Sequence, residues 1–169
     1  MGTEQRRSRE QGRLLALDVG EVRTGLALSD CAHRQASPLK VLDTKALRTS
    51  NKSLLDLIVD FEVTRVVVGL PLQADGSLSA QARRVMSLTR QLLIGMDALP
   101  QTPDVIFFDE SFSSASAKNR AHALGLRERE MRGGLDSHAA AEFLQAYLDA
   151  PEGAVDIRPD DEEFDNDER

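Results

Sequence analysis

The stretch Leu14-Leu15-Ala16-Leu17-Asp18-Val19-Gly20-Glu21-Val22-Arg23-Thr24-Gly25-Leu26-Ala27-Leu28-Ser29 decides the fold. Residues 14–19 and 24–29 are two short apolar runs of strand length. The four residues between them start with glycine, where a tight turn needs it, so the pair reads as a β-hairpin. One residue breaks the apolar pattern of the first run. Asp18 places a carboxylate inside a strand that should be buried, directly before the turn.

Outward from the hairpin, residues 37–43 read as a third strand. Residues 46–61 read as one helix, because Leu47, Leu54, Leu55, Ile58 and Phe61 recur at helical spacing. The β-branched run 64–68 reads as a strand buried on both faces, ended by Gly69-Leu70-Pro71. A second helix fills 78–95, with Ala82, Val85, Met86, Leu88, Thr89, Leu92 and Leu93 on its apolar face. Pro100 and Pro103 bracket a loop, and residues 104–108 form another buried strand. Residues 113–124 read as helical, Gly133-Gly134 as a break, and 136–149 as a last helix stopped by Pro151. Strand and helix alternate through the second half, which implies parallel strands. The expected fold class is α/β, with a mixed central sheet of antiparallel hairpin and parallel strands flanked by helices.

The chain has 169 residues, enough for one ordinary domain and too few for two. Its single cysteine excludes a disulfide framework and a four-cysteine zinc site. Aromatic residues are only 4% of the chain, against a base-stacking platform. The net charge of -7 resides in residues 152–169, and the rest of the chain is balanced, so the acidic total does not oppose a polyanionic ligand. The expected division is a flexible basic segment at 1–12, one domain at 13–150 and an acidic, solvated tail at 151–169. The first apolar run is too short for a signal peptide or a membrane helix, so a cytoplasmic protein without membrane contact is expected.

Three acidic residues stand where carboxylates are costly. Asp18 lies inside a strand, Glu110 at the carboxyl end of strand 104–108, and Asp136 on the helix face shared with Ala140, Phe143, Leu144 and Tyr147. Carboxylates in such places lose hydration, and several together repel. A divalent cation removes both problems, and oxygen-only donors favour Mg2+ or Mn2+ over zinc. Each residue has a simpler reading: Asp136 as an N-cap, Asp18 as a partner of hairpin amides, Asp109 and Glu110 as loop charges. The joint pattern favours a shared site, because two strand ends and a helix start can meet at one sheet edge. Strand alternation lets only one of Asp109 and Glu110 point there. His33, His122 and His138 lack metal-ligand spacing, and Cys31 reads as a small hydrophobe. Arg83, Arg84 and Arg90 read as the solvated face of their helix.

Four ordered segments carry a resemblance. They are residues 15–30 with Asp18, Gly20, Arg23, Gly25 and Asp30; Val67-Val68-Gly69-Leu70-Pro71-Leu72 with Asp75-Gly76-Ser77; Asp109-Glu110-Ser111-Phe112-Ser113-Ser114; and Asp136 through Ala139-Ala140 to Tyr147-Leu148. In order and spacing the chain resembles the YqgF/RuvX family of Holliday junction resolvases and pre-16S ribosomal RNA nucleases, which have an RNase H-like fold. The resemblance implies Asp18, Glu110 and Asp136 as catalytic residues and ligands of Mg2+ or Mn2+. It implies substrate contacts from Arg23, the backbone at Gly69, Ser111 and Ser113. One departure is chemical: the family usually has Arg after its Asp-Glu pair, and Ser111 cannot grip a phosphate as a guanidinium does.

The function so implied is metal-dependent hydrolysis of phosphodiester bonds in structured nucleic acid, at the 5' end of pre-16S rRNA. Its partners would be pre-rRNA or branched DNA and ribosomal assembly intermediates. Two alternatives stand beside it: a Holliday-junction DNA resolvase, and a non-catalytic binding module of ribosome assembly, which Ser111 favours. A sugar-kinase-like phosphotransferase is excluded by length, since it needs two such domains around a cleft.

Overall fold

A computed structural model describes residues 12–109 and 128–155, with side chains of the second segment described from Ser137 onward. The expected helix at 113–124 lies outside the described residues. The elements are β1 (Arg13–Val19), β2 (Arg23–Ser29), β3 (Ala36–Asp43), α1 (Thr44–Thr49), α2 (Lys52–Asp60), β4 (Val63–Leu70), α3 (Ala80–Met96), β5 (Asp104–Asp109), α4 (Glu128–Asp149) and β6 (Ala154–Val155). The sheet order is β3-β2-β1-β4-β5-β6. β1–β2 and β2–β3 pair antiparallel, β1–β4 and β4–β5 parallel, and β5–β6 antiparallel. This is the mixed sheet flanked by helices that the sequence implies.

β1 lies inside the sheet, and its alternating side chains feed two cores. Leu15, Leu17 and Val19 join Val66, Val68, Leu70 and Phe107 beneath α1, α2 and α3. Leu14 and Ala16 join Ala27, Val67 and Phe108 beneath Ala140, Phe143, Leu144 and Tyr147 of α4. The continuous apolar runs of β1 and β4 follow from burial on both faces. On the α4 side, Ala16 and Ala27 meet Ala140 and Ala141, so helix and sheet approach closely. The Phe108 and Tyr147 rings meet edge-on, centroids 5.6 Å apart.

The terminus of α4 is tied to the amino ends of the strands. Arg65 on β4 donates to the Tyr147 hydroxyl at 3.1 Å and sits 3.5 Å from Asp104. Burial opposes the guanidinium's charge, but Tyr147 and Asp104 outweigh it and hold its pKa up. Gln145 accepts from the Ala36 amide at 3.0 Å and donates to the Arg34 carbonyl at 3.1 Å, fixing α4 to the start of β3.

Three elements differ from the sequence expectation. The helix expected at 46–61 is two helices. Asp43 caps the first by accepting from the Ala46 amide at 2.7 Å, and Ser50 is extended at its end. Thr49-Ser50-Asn51 offers side chains that compete for backbone hydrogen bonds, which ends a helix. Gly133-Gly134 does not break the chain but lies within α4. Two glycines cost roughly 1 kcal/mol each against Ala, and packing of residues 137–148 on the sheet carries the helix through them. Residues 151–155, expected in the acidic tail, turn back instead, and Phe107 and Phe108 pair with Val155 and Ala154. A Cβ on Gly153 would lie 2.9 Å from the Phe108 ring, so this segment sits directly on the core. Among the described residues no helix is long and apolar enough to cross a membrane.

The return strand gives a test. A chain ending at Val155 keeps β6, whereas one ending at Ala150 uncovers the β5 edge and Phe108. The shorter chain should be less stable than the longer by about 1–3 kcal/mol, the scale of a few net backbone hydrogen bonds. That corresponds to a Tm lower by roughly 2–12 °C, read by thermal denaturation of the two truncations side by side.

Candidate active site

Asp18 belongs to the alternation that puts Leu14 and Ala16 beneath α4, so it lies on the α4 face at the carboxyl end of β1. It is half-buried. Its neighbours in the sheet leave it room. Gly25 of β2 is its antiparallel partner. On the other side Leu17 pairs with Val68, which brings Asp18 to the row of Gly69, and Gly69 pairs with Phe108 of β5. Strands are ~4.8 Å apart, so side chains at those two positions would crowd the carboxylate. Glycine on both sides leaves Asp18 the only side chain in its row across these three strands.

The turn beyond Asp18 is fixed by backbone and buried hydroxyls. The Gly20 amide donates to the Arg23 carbonyl at 2.9 Å. A Cβ on Gly20 would stand 2.6 Å from that carbonyl oxygen, so only glycine closes this turn. Thr44, at the start of α1, donates its hydroxyl to the Gly20 carbonyl at 2.9 Å, and its oxygen lies 2.9 Å from that of Thr24. This buried threonine pair was not a site expectation, since residues 20 apart announce no contact in a single sequence. Arg23 begins β2 and shares the alternation of Gly25 and Ala27, so it stands at the outer edge of the Asp18 face.

α4 runs antiparallel to β1. Tyr147 lies beside Leu14 and Arg65 at the amino ends of β1 and β4. From Tyr147 back to position 136 is eleven residues, ~16 Å of helix. From Leu14 forward to Asp18 is four residues, ~13 Å of strand. Position 136 therefore arrives near the level of Asp18. It is also in phase with Ala140, Phe143, Leu144 and Tyr147, which all face the sheet. The side chain of Asp136 lies outside the described residues, as do Glu110, Ser111 and Ser113. On β5, Phe107 faces the α1–α3 core and Phe108 the α4 core. Asp109 follows Phe107 by alternation, away from Asp18.

Of the expected site residues, Asp18, Arg23 and Gly69 thus lie together at one edge of one face, with α4 carrying position 136 toward them. Among the described residues there is no cluster of three metal-ligating side chains. The edge can hold a cation only with carboxylates beyond that set. The role of Gly25 opposite Asp18 was missed because it depends on the hairpin register, although its place in the opening motif was visible.

Comparison with known proteins gives the family and the fold. The chain matches, over residues 12–150, the family model described as RuvX: Holliday junction resolvase. It is 38% identical over 143 residues to a protein of Roseiflexus sp. (strain RS-1) named "Putative pre-16S rRNA nuclease", covering 85% of this chain and 98% of that one. A protein of the same name from Anaeromyxobacter sp. (strain Fw109-5) is 39% identical over 137 residues, covering 81% and 96%. Among solved structures, T. thermophilus RuvC in complex with a Holliday junction substrate aligns with a TM-score of 0.52 at 17% identity, covering 84% and 96%. A second Thermus thermophilus RuvC structure gives 0.50 at 14% identity, covering 84% and 98%. At those identities the likeness establishes the fold.

Gly20→Ala tests the turn. The added methyl must displace the Arg23 carbonyl, so stability should fall by about 1–3 kcal/mol, or roughly 2–12 °C in Tm. The neighbouring strand-end carboxylate should shift with the turn. Thermal denaturation checks the first outcome, and amide chemical-shift changes confined to β1 and β2 check the second.

Proposed function

Because the chain belongs to the RuvX family, we propose that it is a metal-dependent endonuclease that hydrolyses phosphodiester bonds in structured nucleic acid, with pre-16S rRNA at its 5' end as substrate. The observation that carries this reading is the Asp18 carboxylate at the carboxyl edge of the sheet. Glycines flank it on both sides, and α4 approaches above it. A half-buried carboxylate flanked in the sheet by two glycines that add no side chain fits an oxygen-ligated divalent ion. Asp18, Glu110 and Asp136 would be the ligands of Mg2+ or Mn2+. When bound, such an ion supplies activation of water and charge for the leaving oxygen.

The chain's own groups do the rest. Asp18, held by the closed turn at Gly20, presents its carboxylate at a fixed place on the edge. Arg23 stands at the outer margin of that face, where a guanidinium can grip a phosphate in bidentate fashion. The Gly69 row admits a sugar-phosphate backbone close to the sheet, and the Ser111 and Ser113 hydroxyls would donate to the same strand. Where the family carries Arg, Ser111 lowers the positive charge offered to phosphate. That single replacement favours the second reading, a binding module of ribosome assembly without turnover. Branched DNA remains the alternative substrate.

The deciding experiment compares wild type and Asp18→Asn on precursor rRNA and on junction DNA, with Mg2+, Mn2+ or EDTA. Wild-type cleavage should require the ion, and Asp18→Asn should lower it at least roughly a hundredfold, the scale of a central electrostatic group. Binding in EDTA should persist or tighten in Asp18→Asn, since one repulsion against phosphate is removed. Metal-independent binding without cleavage by wild type would sink the enzyme and leave the module. Ser111→Arg should tighten binding in either case.

A further inference from the structure

On the other face of the same edge lies a cleft that the nuclease chemistry does not use. It holds about 200 Å³ and is lined by Val19, Gly20 and Glu21 of the hairpin, Thr44 and Arg48 of α1, and Gln81, Arg84 and Val85 of α3. Val19 points into the α1–α3 core, so the cleft opens one residue beyond Asp18 and on the opposite side of the sheet. Its volume is well above the ~10–15 Å³ that a single water needs.

Arg48 and Arg84 both line it. Arg84 pairs with Glu21 across the mouth, and both side chains are more than half exposed, at 55% and 68%. Arg48 donates to the Arg84 carbonyl at 3.4 Å. Among the described residues the hydrogen-bond partner of Arg48 is therefore a carbonyl dipole and not a carboxylate. With one acidic group against two guanidiniums, the cleft carries net positive charge. Its frame is ordered. Gly20 is held by Arg23 and Thr44, and Gln81 reaches the Val19 carbonyl at 3.5 Å. An exposed Arg–Glu pair is weak in water, so an incoming phosphate can take the place of the Glu21 carboxylate on Arg84 while Arg48 approaches from α1. Guanidinium forks suit that ligand.

We propose that this cleft is a phosphate-binding subsite for the nucleic-acid strand, gripping it beyond the hairpin on the side away from the carboxylates, with Arg48 and Arg84 as the binding groups and Glu21 as the internal anion that the phosphate displaces. The proposal rests on the nuclease reading for its ligand, a phosphodiester backbone. It contributes affinity without sequence preference.

The test measures binding of the full chain to junction DNA and to a precursor-rRNA fragment in EDTA. All proteins carry Asp18→Asn, so that nothing is cut, and salt is varied. Arg48→Gln with Arg84→Gln keeps the aliphatic stems and removes both charges. It should raise Kd about tenfold or more at low salt. It should also flatten the slope of log affinity against log salt by about 0.7–0.9, the signature of one lost phosphate contact. Glu21→Gln should lower Kd and steepen the slope. Lys52→Ala removes an exposed charge that pairs with Asp56 on α2, away from the cleft, and should change Kd less than about twofold. Melting temperature should stay level in all of them, which separates lost contacts from lost folding.

An unchanged Kd and slope in the double variant would overturn the subsite. So would an equal loss from Lys52→Ala, which would mean diffuse charge. Binding that responds as expected, together with a wild type that never cleaves in a separate nuclease assay with Mg2+ or Mn2+, would keep the subsite and remove only turnover. Failure of the parent protein to bind either nucleic acid would take down both readings.

Discussion

β1 has no free side. Its backbone is paired with β2 on one edge and β4 on the other, and its side chains are packed under α1–α3 on one face and α4 on the opposite one. Every position from Leu14 to Val19 is therefore assigned to a core by alternation alone. A carboxylate in such a strand can be accommodated only at its end, where the layers part and water or a ligand can reach it. Asp18 occupies that place. Moving it one residue either way would put it in the α1–α3 core, and moving it two residues earlier would put it beneath α4 at the position of Ala16.

The neighbours of Asp18 follow from the same constraint. Packing α4 closely on the sheet requires small residues where helix and strands touch, supplied by Ala16, Ala27, Ala140 and Ala141. At the next level along the strands the small residues become glycines, at positions 25 and 69. What begins as close packing thus ends as a row that carries one side chain, the Asp18 carboxylate, between two glycines. The Arg65–Tyr147 hydrogen bond and the bonds of Gln145 to Ala36 and Arg34 hold the other end of α4 at the amino ends of β1 and β4. The direction and length of α4 then carry its first turns to the edge where Asp18 lies.

Local pattern carried much of this. The apolar runs gave the strands, the helical spacing gave the face of α4, and the misplaced carboxylates pointed to an edge before any resemblance entered. The failures lie where non-local contacts decide. Gly133-Gly134 looks like a break because intrinsic propensity says so, and tertiary packing of the rest of α4 overrides it. Ala154 and Val155 sit in a strongly acidic context, and their pairing with β5 depends on an edge that no local pattern shows. The split at 50–51 was locally encoded in Thr-Ser-Asn, but the apolar spacing across it masked the signal. Arg84 reads as one more solvated residue on α3 until the hairpin brings Glu21 to it, and Arg48 draws no notice in the sequence. Of the carboxylates, Asp18 lies at the carboxyl edge and Asp109 points away from it, while Glu110 and the side chain of Asp136 lie outside the described residues.

The two faces of the sheet edge divide the labour that a polyanion demands. Carboxylates that hold a cation repel the very backbone they act on, so affinity must come from elsewhere. The α4 face presents the Asp18 carboxylate, and the cleft between the hairpin, α1 and α3 is lined by two arginines within one residue of it. The hairpin turn joins the two: Gly20 is fixed by Arg23 and by Thr44, and its flanks are Asp18 with Val19 on one side and Glu21 on the other. A phosphate that draws Arg84 away from Glu21 loosens one tether of that turn while the backbone and threonine tethers remain. Grip and chemistry can then be strengthened separately. With Ser111 offering no guanidinium beside the carboxylates, positive charge on the far face can supply attraction that is missing there.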